Sequence, residues 1–241
     1  MVNDIPDTCW ICGSDATTGE HQPKKTDLVQ IFGDGVFKGV VKHDYDSHTK
    51  INIQGPNSQA LKYSKNLCAN CNNERTQPYD LSYTRFAAYV RYNFCELKET
   101  LTIDTNVIFG KNEAKEQRHN LFLYFVKAFG CQLHDNNLPI PNTLRDALLG
   151  RKNYGDRFRV SVCLNHVVQH FVQNFPLEGD QNECGQLYDS FWAQDNGWFT
   201  VVHAYNRPIS TEFGEEWFGK SRHLRLGKWS ASNHGGSSGA R

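Results

Sequence analysis

The sequence lacks net charge: 26 Lys and Arg stand against 26 Asp and Glu in 241 residues, a formal charge of zero at pH 7. A protein that grips nucleic acid regardless of sequence usually carries a basic surplus that replaces counterions along the phosphates, and composition supplies none here. Long apolar runs are missing too. No stretch approaches the roughly 20 apolar residues that span a bilayer, and residues 1–7 have neither the basic start nor the apolar run of a secretory leader. The chain therefore reads as a cytoplasmic protein without a membrane partner. No internal repeat of fixed period is found. With 22% charged and 39% hydrophobic residues the chain has the makings of a compact core rather than long disordered charged tracts. The one local basic surplus follows Glu216, where Lys220, Arg222, Arg225, Lys228 and Arg241 occur without an acid.

Cysteine is not lacking. Of eight, four form two Cys-x-x-Cys pairs, Cys9–Cys12 and Cys68–Cys71, while Cys95, Cys131, Cys163 and Cys184 occur singly. Each pair offers two sulfurs from one tight turn, and two such turns complete the tetrahedron of a closed Zn²⁺ site. Such a site is structural, and it suits a reducing compartment better than a disulfide framework does.

Between the pairs, Val36–Lys42 is β-rich and residues 50–53 alternate as a short strand, which predicts a hairpin followed by a helix that starts at the second pair. Beyond Pro78, the apolar residues Tyr83, Phe86, Ala87, Val90, Phe94 and Leu97 recur at steps of three and four, predicting one helix of about four turns. A second helix is expected from Glu113 to Gly130, and a third from Asn142, as N-cap, to Gly150. From Arg157 the pattern becomes that of a half-buried strand, with Phe158, Val160, Val162 and Leu164 on one face, and Trp198–Tyr205 repeats it. A Gly/Ser-rich tail closes the chain.

Polar residues near the clamp carry the chemistry. Glu20 and His21 are adjacent, so on extended backbone they face opposite sides, and one can hold a metal while the other reaches toward substrate. Asn72 follows Cys71 at the start of the expected helix, where its side chain can cap the helix or ligate a hard cation. Elsewhere, His166 and His170 stand four apart among apolar neighbours, a weaker candidate for a metal pair. Tyr79, Tyr83, Tyr89 and Tyr92 with Arg85 and Arg91 could form a base-stacking surface, although helical spacing favours core for the tyrosines.

Taken together, Cys-x-x-Cys, then Gly19-Glu20-His21-Gln22-Pro23-Lys24, then Leu67-Cys68-Ala69-Asn70-Cys71-Asn72-Asn73 resemble the zinc-stabilised branch of the HNH endonuclease superfamily. The stretch Glu74–Asp80 is similar to uncharacterised bacterial and phage HNH-like proteins. The resemblance covers the first third of the chain. It implies an α+β protein: a zinc-bound ββα-metal (treble-clef-like) module over residues 1–78, a helical then mixed α/β region over 79–230, and a disordered tail over 231–241.

It also implies metal-dependent hydrolysis of phosphodiester bonds in DNA, with RNA left open. Cys9, Cys12, Cys68 and Cys71 would hold structural Zn²⁺, His21 would be the general base, and Glu20 and Asn72 would ligate one Mg²⁺ or Mn²⁺. Glu20 stands where the family usually has Asp, Asn72 where it usually has a second His, and Asn66 is nearest to the middle Asn that ties down the loop around the base. A homodimer would suit double-strand cutting. The competing expectation is a non-catalytic zinc-binding module for nucleic-acid or protein recognition.

Overall fold

The structure, a computed structural model, describes residues 8–43, 50–151, 157–168 and 172–229. Cys9 and Cys12 lie on a tight turn closed by Gly13 N–H donating to the Cys9 carbonyl at 2.8 Å. The chain then extends and pairs antiparallel with the segment before the second cysteine pair, Thr18 opposite Leu67 and His21 opposite Lys62. Gly19 is required in this ribbon, because a Cβ there would lie 2.2 Å from the Tyr63 carbonyl oxygen. The ribbon leads into a π-helical segment, Asn70–Arg75, which carries Cys71 and Asn72. A helix at the second cysteine pair is therefore present, reached through two isolated β-bridges between the segments that flank the cysteines, and the expected hairpin forms separately, within the stretch between them.

That stretch is an insert in the connection between the two ribbon segments. It contains helix α1 (Lys25–Phe32) and a short antiparallel pair, β1 (Val41–His43) and β2 (Lys50–Asn52). Leu28, Phe37, Ile53 and Leu61 close a small core of their own.

Helix α2 (Gln77–Tyr92) buries the expected stripe of Tyr83, Phe86, Ala87 and Val90. It ends at Tyr92, capped by Asn93, whose side-chain amide donates to the Tyr89 carbonyl at 2.9 Å, and α3 (Phe94–Thr100) carries Leu97 on a new axis. After β3 (Thr102–Asp104) and α4 (Thr105–Phe109), helix α5 (Ala114–Asp135) runs past the expected stop at Gly130. Gly130 serves packing rather than termination: a Cβ there would sit 2.3 Å from the Trp10 ring. The glycine lets the Cys9–Cys12 turn lie against α5. Helix α6 (Asn142–Leu148) follows Pro141, so Asn142 is its first residue rather than its cap.

The C-terminal region forms β4 (Phe158–Asn165), β5 (Gln173–Asn174), β6 (Glu178–Gln181), β7 (Leu187–Asp195), β8 (Phe199–Tyr205), β9 (His223–Arg225) and β10 (Gly227–Trp229). Six of these make one sheet in the order β10-β4-β8-β7-β5, with β6 also on β7; β10 runs parallel to β4 and the other pairs are antiparallel, while β9 pairs with β3. One face packs on α2 and α5, with Phe86 against Phe199 at 5.5 Å and Phe129 against Phe158 at 5.2 Å between ring centroids. Phe213 and Trp229 cover the other face, together with Cys163, Phe191 and Val202. β4 is thus buried on both faces except at Arg159, not half-buried as its alternation suggested, because Ser161 and Cys163 are covered as fully as their apolar neighbours.

A single core joins Cys9, Trp10, Ile11, Leu67 and Cys71 to α2, α5 and the sheet. Burying a large apolar side chain there contributes about 1.5–3 kcal/mol. Among the described residues no helix is long and apolar enough to cross a membrane.

Asp27, in the first turn of α1, ties the insert to α2. It is fully buried and accepts hydrogen bonds from the Tyr83 hydroxyl at 2.5 Å and Arg91 Nη1 at 2.7 Å. Arg91 also lies over the Trp198 ring, and Tyr83 stacks on Tyr124, so these members of the aromatic and basic set belong to the interior; Tyr92 is 87% exposed. Asp27→Ala would leave a guanidinium and a phenol without their partner, and we expect a loss of about 3–5 kcal/mol by urea unfolding of the metal-loaded protein. Loss below about 1 kcal/mol would mean that this network does not anchor the insert.

Candidate functional site

The two knuckles bring the sulfurs of Cys9, Cys12, Cys68 and Cys71 within 4.8 Å of one another, with Cys12 Sγ 3.6 Å from Cys68 Sγ. A tetrahedral Zn²⁺ with Zn–S bonds of about 2.3 Å needs sulfurs roughly 3.8 Å apart. The four donors fit such an ion, and burial explains why they need one: it raises the thiol pKa of Cys9 and Cys71, so that thiolates there are unfavourable without a cation. At Cys12 burial pushes the same way but is outweighed by hydrogen bonds from Ser14 and from the neighbouring cysteines, which bring it down to about 6. Among the described residues this is the one group of three or more Cys, His, Asp or Glu side chains placed to hold a metal ion.

Glu20, His21 and Asn72 stand next to this clamp, on the ribbon and the π-helical segment. Asn72 Nδ2 donates to Thr18 Oγ1 at 3.1 Å, and Thr18 lies two residues before Glu20. Asn72 lies inside the helical segment, whose N-cap is Ala69, so it is not the cap. His21 goes the other way: its Nε2 lies 3.2 Å from the Pro56 carbonyl oxygen, within the insert. A carbonyl only accepts, so Nε2 carries the proton and Nδ1 holds the lone pair. Burial lowers the His21 pKa, against the attraction of Glu20, so the ring is neutral at pH 7. The group that ties down the His21 ring is thus the Pro56 carbonyl, which accepts from Nε2, while Asn66 is fully buried and pairs its backbone carbonyl with Trp10 N–H at 3.1 Å.

Glu20 has partners that the motif does not announce. Lys127 Nζ lies 2.5 Å from its Oε2, and Lys24 Nζ lies 4.0 Å from its Oε1. Both ammonium groups also meet Asp80, Lys24 at 2.7 Å and Lys127 at 3.3 Å. The four side chains form a charge-balanced cluster with Lys127, 1% exposed, at its centre. Burial opposes the charged forms, yet the carboxylates raise the Lys127 pKa, and Lys127 and Lys24 lower that of Glu20. A Mg²⁺ or Mn²⁺ does not fit Glu20 in this arrangement, since an ammonium already sits at Oε2. Lys127 has one mark in the sequence: it is the lone charge within the apolar run Leu121–Phe129.

A cavity of about 450 Å³ adjoins the strand after His21, between the insert and β5, with Phe32, Phe37 and Ile53 among its apolar walls and Gln22, Lys42 and Asn174 among its polar ones. Gln194 Nε2 ties the two sides by donating to the Gln22 carbonyl at 2.7 Å and to Asn174 Oδ1 at 2.9 Å. The other metal candidate does not extend the site: His166 is exposed on a bend, and His170 lies outside the described residues. The basic stretch near the C-terminus is partly neutralised, Arg222 by Asp104 and Arg225 by Glu215.

No family model matches the chain, and no curated protein or solved structure matches it.

Proposed function

We propose that this chain is a zinc-held HNH-type endonuclease that hydrolyses phosphodiester bonds of DNA with His21 as general base. The observation that supports this most is the setting of His21: on the ribbon, beside the cysteine clamp, with its Nε2–H committed to the Pro56 carbonyl. That bond selects the tautomer with a basic Nδ1 and holds the ring in one orientation, which is what a group taking a proton from water needs. The Asn72–Thr18 bond, which brings the helical Asn to the strand of Glu20, supports the same reading. A divalent ion, where such enzymes use one, supplies charge stabilisation at the phosphate and the leaving oxygen. Glu20 does not offer its carboxylate to such an ion in this arrangement, because it is paired with Lys127.

That pairing favours a second reading, a non-catalytic zinc-bound module that recognises nucleic acid or protein. One assay separates the two. Zinc-loaded protein is incubated with single-stranded, duplex and branched DNA in Mg²⁺ or Mn²⁺. The nuclease reading expects cutting that falls by at least about 10²-fold in His21→Ala, with unchanged circular dichroism. Binding of DNA without cutting by the wild type would support recognition instead.

A further inference from the structure

We propose that Lys127 is the resident cation of this site: its ammonium group, held between Glu20 and Asp80, occupies the position a divalent ion would need and keeps such ions out. The inference concerns cation occupancy and holds whether or not the chain cuts nucleic acid. Lys127 comes from the middle of α5, is 1% exposed, and has both carboxylates within 3.4 Å of one nitrogen. Lys24 bridges the same two carboxylates from the solvent side, 16% exposed.

Ligand chemistry explains why the ammonium excludes an ion. Mg²⁺ and Mn²⁺ require several oxygens at close range and give up water reluctantly, so they must take at least one carboxylate fully. Here that means pulling Glu20 off Lys127 and leaving a buried ammonium with one partner fewer, which is strongly unfavourable. The exclusion is built into the packing of α5 rather than into the motif on the ribbon. Without the charge of Lys127, two carboxylates would face one vacated position with only Lys24 to balance them, a cation site of hard oxygen donors.

The test uses full-length, zinc-loaded protein and Mn²⁺ alone, followed by electron paramagnetic resonance of free Mn²⁺ and by thermal melting. The variants are Lys127→Met and the double variant Lys127→Met with Glu20→Gln. Lys127→Met is expected to bind one Mn²⁺ per chain at least about tenfold more tightly than wild type and to melt at higher temperature when Mn²⁺ is present. The double variant should lose both gains. Should Lys127→Met be poorly folded alone, rescue of its melting by Mn²⁺, absent in the double variant, carries the same information.

Two results would overturn the proposal. In one, the wild type binds Mn²⁺ as tightly as Lys127→Met and loses it in Glu20→Gln, so the ammonium is no barrier. In the other, Lys127→Met shows neither binding nor rescue, so Lys127 does not stand in a cation's place. Neither depends on DNA cleavage, so failure of the nuclease reading is seen separately.

Discussion

Removal of metal from the four-cysteine site is expected to unfold the knuckles and to disrupt the core they enter. Binding of Zn²⁺ to four thiolates carries apparent free energies on the order of 10–16 kcal/mol, comparable to the whole stability of a typical domain at about 5–15 kcal/mol. Here the metal is not confined to a separable module. Cys9, Trp10, Ile11, Leu67 and Cys71 belong to the main core, Trp10 lies on Gly130 of α5, and Arg145 Nε of α6 donates to the Trp10 carbonyl at 2.8 Å. Losing the ion should therefore change Trp fluorescence and helical circular dichroism together. Treatment with a strong zinc chelator, or Cys71→Ala, should leave a protein without a cooperative melting transition, and metal analysis should find one zinc per chain in the wild type. A chelated protein that melts within a few degrees of the loaded one would show that the cysteines are not a structural site.

Acid is expected to destabilise the protein steeply, and His203 is one cause that a single substitution can isolate. Its imidazole lies in the centre of the core, stacked on Trp192 at 4.6 Å and on Phe129 at 6.0 Å. Burial lowers its pKa to about 3, from an ordinary value of 6.5. The sign follows: between those values the unfolded chain binds a proton that the folded chain refuses, so stability is full above pH 6.5 and falls as pH drops toward 3. The slope is about 1.4 kcal/mol per pH unit and the total on the order of 4–5 kcal/mol. Burial lowers His21, His119 and His134 as well, in the same direction.

His203→Phe keeps an aromatic ring in the stack and removes the titration. At pH 8 the variant should lie within about 1.5 kcal/mol of wild type, and at pH 4 it should be more stable by roughly 3 kcal/mol. Protonation of the zinc ligands affects both proteins alike, so the difference between their urea midpoints across pH isolates His203. Parallel curves would show that His203 does not carry the acid sensitivity.

The features legible in the sequence are those set by short-range spacing. Two Cys-x-x-Cys turns contain their own ligand geometry, and the steps of Tyr83, Phe86, Ala87 and Val90 define a buried helical stripe whatever lies opposite. The strand pattern at Phe158–Leu164 located β4 but missed the burial of its second face, since the covering residues, Phe213 and Trp229, arrive from distant loops and strands. Glycine often ends helices, which makes Gly130 look like a stop; its close contact with Trp10, far away in sequence, gives it a packing role inside α5 instead.

The candidate site divides the same way. By itself the sequence determined the four cysteines that could hold a metal and placed Glu20, His21 and Asn72 beside them, because these positions are counted from the cysteines themselves. Only the tertiary structure decided what those side chains meet: the Pro56 carbonyl for His21, Thr18 for Asn72, and the ammonium of Lys127 for Glu20. The last is the decisive partner, and no local pattern could supply it. A buried lysine is tolerable only where packing delivers carboxylates to it, and that delivery depends on how α5 docks against the ribbon and α2.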